Sequence, residues 1–260
     1  MYLDKKGEVV VVVIIALAVI ISSFFAINQI SDGNMVTGAA IGLGNIKTQA
    51  SCGDTITSST TLTENLGPCS NLDGLIIGAN NVVLDCAGYK IIGENDLNKY
   101  GVKNPQYNRI TIKNCSITNF SIGISFSRDS LLSTIINNTL FTNTDGIYIF
   151  NSNTTTIINN TIKNQTQHGL WLVGVGDGLI INNLIENNGI SDLTTKNGIN
   201  IDFGDYSSNL TFINNTLYNN SIAIEASVTE TRFYNNKFNY TPIINGNAVT
   251  IWNTTYNNTT

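Results

Sequence analysis

Few residues in this chain are equipped for chemistry, and most of them stand at one spacing. Asp145 and His168 are 23 positions apart, and so are Tyr148 and Trp171. Asn197, Asn200 and Asp202 follow one longer interval on. A carboxylate and an imidazole are groups of general acid–base catalysis, and Asp145 and His168 are the catalytic candidates. Two aromatic rings beside amides and acids suit the apolar face and the hydroxyls of a sugar ring. Tyr148, Trp171, Asn197, Asn200 and Asp202 are therefore the candidate ligand-binding set. Tyr148 and Trp171 could equally stabilise one another as a cross-strand pair, worth about 0.2–1 kcal/mol. Glu186, Asp192, Asp202 and Asp205 offer hard oxygen ligands to a calcium ion, although a solvated acidic loop has the same composition. A zinc or copper site would have to rely on cysteine, because His168 is the single histidine and the two methionines are Met1 and Met35. No cofactor is expected.

These residues can meet only if the chain coils. The dipeptides Asn114-Cys115, Asn137-Asn138, Asn159-Asn160, Asn182-Asn183, Asn214-Asn215 and Asn235-Asn236 recur at intervals of 23, 22, 23, 32 and 21 residues. A second column reads Gly101, Gly123, Gly146, Gly169, Gly198 and Ala223. Short β-branched runs such as Thr134-Ile135-Ile136 and Thr156-Ile157-Ile158 lie between them, and no room remains for helices. Composition agrees: the chain has 40 Asn, 37 Ile and 30 Thr but only 12% charged residues. The fold class expected is all-β, a parallel β-helix solenoid of about seven turns. Each turn would stack about 4.8 Å above the last, so like positions form columns. Asn138, Asn160, Asn183, Asn215 and Asn236 would then form a ladder of amides that holds the register. Ile124, Ile147, Leu170, Ile199 and Ile224 would point inward, and Ser125, Tyr148, Trp171, Asn200 and Glu225 outward.

Residues 9–27 are nineteen positions without a charge. At 1.5 Å per residue that is roughly 28 Å of helix, enough to cross a bilayer core. Lys5 and Lys6 before it place the N-terminus in the cytoplasm and the remainder outside. A cleavable signal peptide competes with this anchor, and the Lys5-Lys6-Gly7-Glu8 run has some likeness to a pilin-type processing site. The division expected is a stub and anchor over 1–27, a linker over 28–51, and a β-helix over 52–260 with caps at 52–80 and 241–260. Four cysteines fit an exported chain and allow three pairings. Cys52–Cys69 with Cys86–Cys115 is the favoured one, against the alternative that Cys86 and Cys115 are simply small buried side chains. The formal net charge of −5 excludes a generic nucleic-acid binder, because phosphate binding needs a cationic stripe.

The segments Cys52-Gly53-Asp54-Thr55-Ile56-Thr57 and Thr61-Leu62-Thr63, the stretch from Gly74 to Gly88, and the repeated I-x-N-N-x-I units carry a resemblance. Over about residues 52–250 the chain resembles the right-handed parallel β-helix proteins of the pectin-lyase-like superfamily, nearest to the NosD-like branch of carbohydrate-binding and sugar-hydrolase repeats. The resemblance implies a right-handed coil. It leaves function open, since that fold hosts lyases, hydrolases, adhesins and binding modules. The copper association of the NosD name is not supported, for want of soft ligands. Asn143-Thr144-Asp145-Gly146 and His168-Gly169 are similar to motifs of the polygalacturonase-type glycosidases. The chain departs from them, however, in lacking the adjacent acid pair and a later Arg-x-Lys.

Asn-x-Ser/Thr triplets occur at Asn119, Asn153, Asn164, Asn209, Asn219, Asn239 and Asn253. They also occur at Asn137, Asn159 and Asn214, which are expected to be buried in the ladder. The reading that results is an exported, membrane-tethered module of the cell surface that binds a polysaccharide or surface glycan or acts in adhesion. A polysaccharide lyase or glycoside hydrolase is the first alternative, and a structural surface-layer or filament component the second. The sequence sets no oligomeric state.

Overall fold

The computed structural model describes residues 49–189, 197–202, 208–220, 222–226, 231–239, 243–245, 249–252 and 255–257. The apolar run 9–27 lies outside the described residues. Three parallel sheets of nine strands each make up the fold, and each turn of chain contributes one short strand to every sheet. The first sheet starts at Asp54–Ile56 and finishes at Ile243–Asn245. The second runs from Thr60–Thr61 to Val249–Trp252, and the third from Leu66–Cys69 to Thr255–Asn257. Seven turns stand between the first and last rungs, and the described residues of the stretches expected as caps include strands of the same three sheets.

Register follows the columns foreseen. Ile124 pairs with Ile147, Ile147 with Leu170, Leu170 with Ile199, and Ile199 with Ile224. Ile124, Ile147, Leu170 and Ile199 are fully buried, as are Ile112 and Ile135 of the second sheet and Leu140, Ile162 and Ile185 of the third. The core is therefore a stack of apolar side chains facing inward from three sheets, each buried residue contributing about 1.5–3 kcal/mol. The glycine column has a steric cause. A Cβ on Gly146 would stand 2.4 Å from the carbonyl oxygen of Gly169 and 2.6 Å from Cγ2 of Ile162.

Each rung must turn between its strands, and the turns use left-handed residues, which asparagine tolerates better than most. The first Asn of each dipeptide takes that conformation: Asn137, Asn159, Asn182, Asn214 and Asn235 have φ of 56°, 55°, 54°, 54° and 52°. The second Asn is the ladder member. Asn138, Asn160, Asn183 and Asn215 each donate from Nδ2 to Oδ1 of the Asn one rung on, all at 3.0 Å. Those same oxygens also accept the backbone N–H of the preceding member, and the start of the series is the N–H of Cys115 donating to Asn138 Oδ1 at 3.0 Å. The expectation for Asn137, Asn159 and Asn214 is corrected here: all three are exposed, because a left-handed residue ahead of an inward-pointing one turns its side chain out.

A second ladder runs five residues later. Phe120 N–H donates to Asn143, Asn143 N–H to Gln165, Gln165 N–H to Asn188 and Asn188 N–H to Asn220, at 3.0, 2.8, 3.0 and 3.0 Å. Both favoured disulfides are formed, Cys52–Cys69 and Cys86–Cys115.

Asp85 ties neighbouring rungs at the surface of the second sheet. Its carboxylate lies 3.0 Å from Lys113 Nζ and accepts from Asn114 Nδ2 at 2.9 Å and Ala87 N–H at 2.8 Å. Burial pushes its pKa up, but the Asn114 amide, the Ala87 N–H and the Lys113 ammonium together outweigh that and hold it below the ordinary 3.8. A carboxyl with a lowered folded-state pKa contributes stability that is present above the unfolded value and lost as pH falls through the folded one. As pH falls below about 4, the thermal midpoint should fall more steeply in the wild type than in Asp85→Asn. Parallel curves for the two proteins would show that Asp85 carries none of the acid sensitivity.

Candidate functional site

The middle of the first sheet gathers most of the chemically equipped residues. Three strands build it: Ile122–Ser127, Asp145–Phe150 and Leu170–Val173. Side chains alternate along a strand, so the register pairs that put isoleucines inside put a different column outside. Ser125 pairs with Tyr148, Tyr148 with Trp171, Trp171 with Asn200, and Asn200 with Glu225. Lys103 precedes Ser125 in the same column.

Tyr148 and Trp171 meet as expected, their ring centroids 4.7 Å apart and tilted by 48°. Phe150, two residues after Tyr148 on the same strand and so on the same face, widens the aromatic shelf. Its ring lies 6.2 Å from Tyr148 at an interplanar angle of 23°. The column faces outward without being fully exposed. Tyr148, Phe150 and Trp171 are half-buried, while Ser125 and Asn200 are 2% and 8% accessible. Large rings on adjacent rungs shield the small side chains beside them.

Asp145 and His168 are also brought together. Asp145 Oδ1 accepts the His168 N–H at 2.9 Å and lies 2.8 Å from Nδ1 of the same residue. Both side chains are buried. A carboxylate at Nδ1 fixes the proton on that nitrogen, and Nε2 then lies 3.4 Å from Nδ2 of Asn200, which can donate to it. The imidazole also packs 4.9 Å from the Trp171 ring. Asp145, His168, Trp171, Tyr148 and Phe150 thus form one continuous series of contacts, with the polar pair underpinning the aromatic shelf.

The remaining candidates are dispersed. Asn197 and Asp202 are at the two ends of the strand Asn197–Asp202, the latter in register with Val173. Glu186 is on the third sheet, in register with Lys163 and Tyr218, and so belongs to a different sheet from the aromatic column. Asp192 and Asp205 lie outside the described residues. Among the described residues no three His, Cys, Asp or Glu side chains are grouped to hold a metal ion.

Chemically, the described part of this surface offers aromatic faces, amide donors and acceptors, and the Asp145 carboxylate already engaged by a histidine. Inverting hydrolysis of a glycoside requires two carboxyl groups about 6.5–9.5 Å apart with a water between them. The contact between Asp145 and His168 follows from the 23-residue spacing that places them on neighbouring turns. Both stand immediately before a column glycine, Gly146 and Gly169.

Residues 57–238 match the model of a family described as the right handed beta helix region. Among solved structures, the chain is similar to the DFA-IIIase from Arthrobacter chlorophenolicus A6, with a TM-score of 0.52 and 10% identity. The similarity covers 64% of this chain and 41% of that one, and at such identity it is a likeness of fold. No curated protein matches the chain.

Proposed function

The chain belongs to the right-handed β-helix family, and from that premise we propose that it is an exported, membrane-tethered module of the cell surface that binds a glycan on its first sheet. The observation that carries the reading is the aromatic shelf on an outward strand face, Tyr148 in register with Trp171 and Phe150 two residues along the same strand. A half-buried ring held on a rigid strand presents a flat apolar face at little entropic cost, and a sugar ring offers a matching apolar face with hydroxyls at its rim. Asn200 follows Trp171 in the same column, buried beside it, and the Asp145–His168 pair packs against the ring of Trp171. Two disulfides support an oxidising destination, and the apolar run 9–27 supports a tether.

A glycan array probed with wild type and Trp171→Ala tests the proposal. The variant removes both stacking and buried apolar area, worth together about 1.4 kcal/mol or more, so retention should fall at least about tenfold. Equal retention of the two proteins would overturn the reading.

The hydrolase alternative rests on the 2.8 Å Asp145–His168 pair. It predicts that bound polysaccharide is cut and that Asp145→Asn abolishes the cutting. The binding reading predicts that the wild type releases no product, whichever glycan it retains.

A further inference from the structure

The Asn-x-Ser/Thr triplets share one sequence pattern, but the structure separates them by position. We propose that Asn137, Asn159, Asn164 and Asn214 are N-glycosylation sites, arrayed on the two bends that flank the third sheet. The inference rests on the export part of the proposed function, since glycan transfer to such triplets takes place on the secretory side of a membrane.

Three observations carry it. All four asparagines are exposed and hold left-handed turns, with φ of 56°, 55°, 58° and 54°. The next residue in each case is a buried ladder amide pointing inward, namely Asn138, Asn160, Gln165 or Asn215, so it cannot cover the acceptor. Finally, on the bend that carries Asn137, Asn159 and Asn214 the coil does not need the hydroxyl. Asn182-Asn183-Leu184 and Asn235-Asn236-Lys237 make the same left-handed bend and include the same kind of ladder member. Leu184 stands in register with Thr161 and Thr216, and Lys237 with Thr216. The bend and the ladder account for the two asparagines, and the threonine is left as a separable feature that completes the acceptor. Asn209 makes the contrast: its Nδ2 donates to Asp177 at 2.6 Å and its Oδ1 accepts from Arg232, so its amide is already engaged.

The reaction is transfer of an oligosaccharide from a lipid-linked phosphate donor. A bond forms between Asn Nδ2 and the anomeric carbon of the sugar, and the bond from that carbon to the phosphate oxygen breaks. The lipid phosphate departs with the bonding pair, and one Nδ2 proton passes to a base of the transferase. Geometry also sets occupancy. Asn137 and Asn159 are on adjacent rungs about 4.8 Å apart, too close for two full glycans, and should share occupancy. Asn214 is flanked on its bend by Asn182 and Asn235, neither of which is followed by a hydroxyl at the second position, and should be occupied throughout.

The test is glycopeptide mass spectrometry on the full chain recovered from its own cells, before and after enzymatic removal of N-glycans. Expected are sugar-bearing peptides at all four positions, full occupancy at Asn214, and loss of the Asn159 glycan in Thr161→Leu with the thermal midpoint unchanged. Bare acceptors on protein recovered from the cell exterior would overturn the inference and leave the export reading intact. Bare acceptors on protein retained inside the cell would overturn both. Enzymatic deglycosylation of the wild type gives the same answer without relying on a variant to fold.

Discussion

Replacing Asn160 by leucine is expected to lower the stability of the coil by roughly 3–5 kcal/mol, from one buried donor left without its acceptor at about 1–3 kcal/mol and the further buried hydrogen bonds lost beside it at a net of about 0.5–1.5 kcal/mol each. Asn160 Oδ1 accepts both the N–H and the Nδ2 of Asn138, at 2.9 and 3.0 Å. Its own Nδ2 donates to the carbonyls of Ile135 and Ile158 and to Asn183 Oδ1, at 2.9, 3.1 and 3.0 Å. A leucine fills the volume but leaves the Asn138 N–H in a dry interior without its acceptor, where a polar atom without a partner costs most. Asn138 Nδ2, Asn183 Oδ1 and the Ile158 carbonyl each keep one other bond, to Ile112 O, the residue-160 N–H and the Asn137 N–H. The adjacent Asn159 gives an internal control. It is exposed, and its side chain serves the bend, so Asn159→Gly should change stability by less than about 1 kcal/mol. Chemical denaturation of the two variants reads both values. A loss at Asn160 no larger than that at Asn159 would mean that the ladder contributes nothing to the fold.

Removing the Cys86–Cys115 bridge is expected to cost about 3–4 kcal/mol. Its two cysteines are 29 residues apart, and closing a loop of that length lowers the entropy of the unfolded chain by the corresponding amount. The bridge joins one rung to the next at the head of the first ladder, where Cys115 occupies the place that asparagine takes further along. The double variant Cys86→Ala, Cys115→Ala keeps the N–H of Cys115's position available to Asn138, so the loss should come from the open chain rather than from the ladder. Denaturation midpoints of the oxidised wild type, the reduced wild type and the double variant check this. Coincident midpoints for all three would show that the bridge is dispensable.

The legible part of this protein was whatever repeats. Asn138, Asn160 and Asn183 recur at 22 and 23 residues, and glycines recur beside them, so a fixed rise per turn places them in columns and carries Tyr148 onto Trp171 with no further assumption. The same arithmetic had put Asp145 beside His168. What it does not convey is which way a side chain points at a bend. There the chain leaves the two-residue alternation of a strand, and a left-handed residue reverses the sense, which is why Asn137, Asn159 and Asn214 face water. The second ladder was hidden for a related reason. Gln165 and Phe120 interrupt its asparagines, and geometry rather than identity defines it. Depth is likewise not periodic: Ser125 and Asn200 occupy outward positions yet are buried, because Tyr148 and Trp171 are large enough to cover them.

Intrinsic fluorescence offers the most direct trial of the aromatic shelf, since the chain has two tryptophans, Trp171 and Trp252. A glycan resting on the shelf must change the surroundings of Trp171. Titration with a panel of soluble polysaccharides should therefore give a saturating spectral shift for at least one of them, retained in Trp252→Phe and lost in Trp171→Phe. A polysaccharide that binds and leaves the Trp171 emission unaltered, or a shift that survives Trp171→Phe, would place the binding surface elsewhere on the coil.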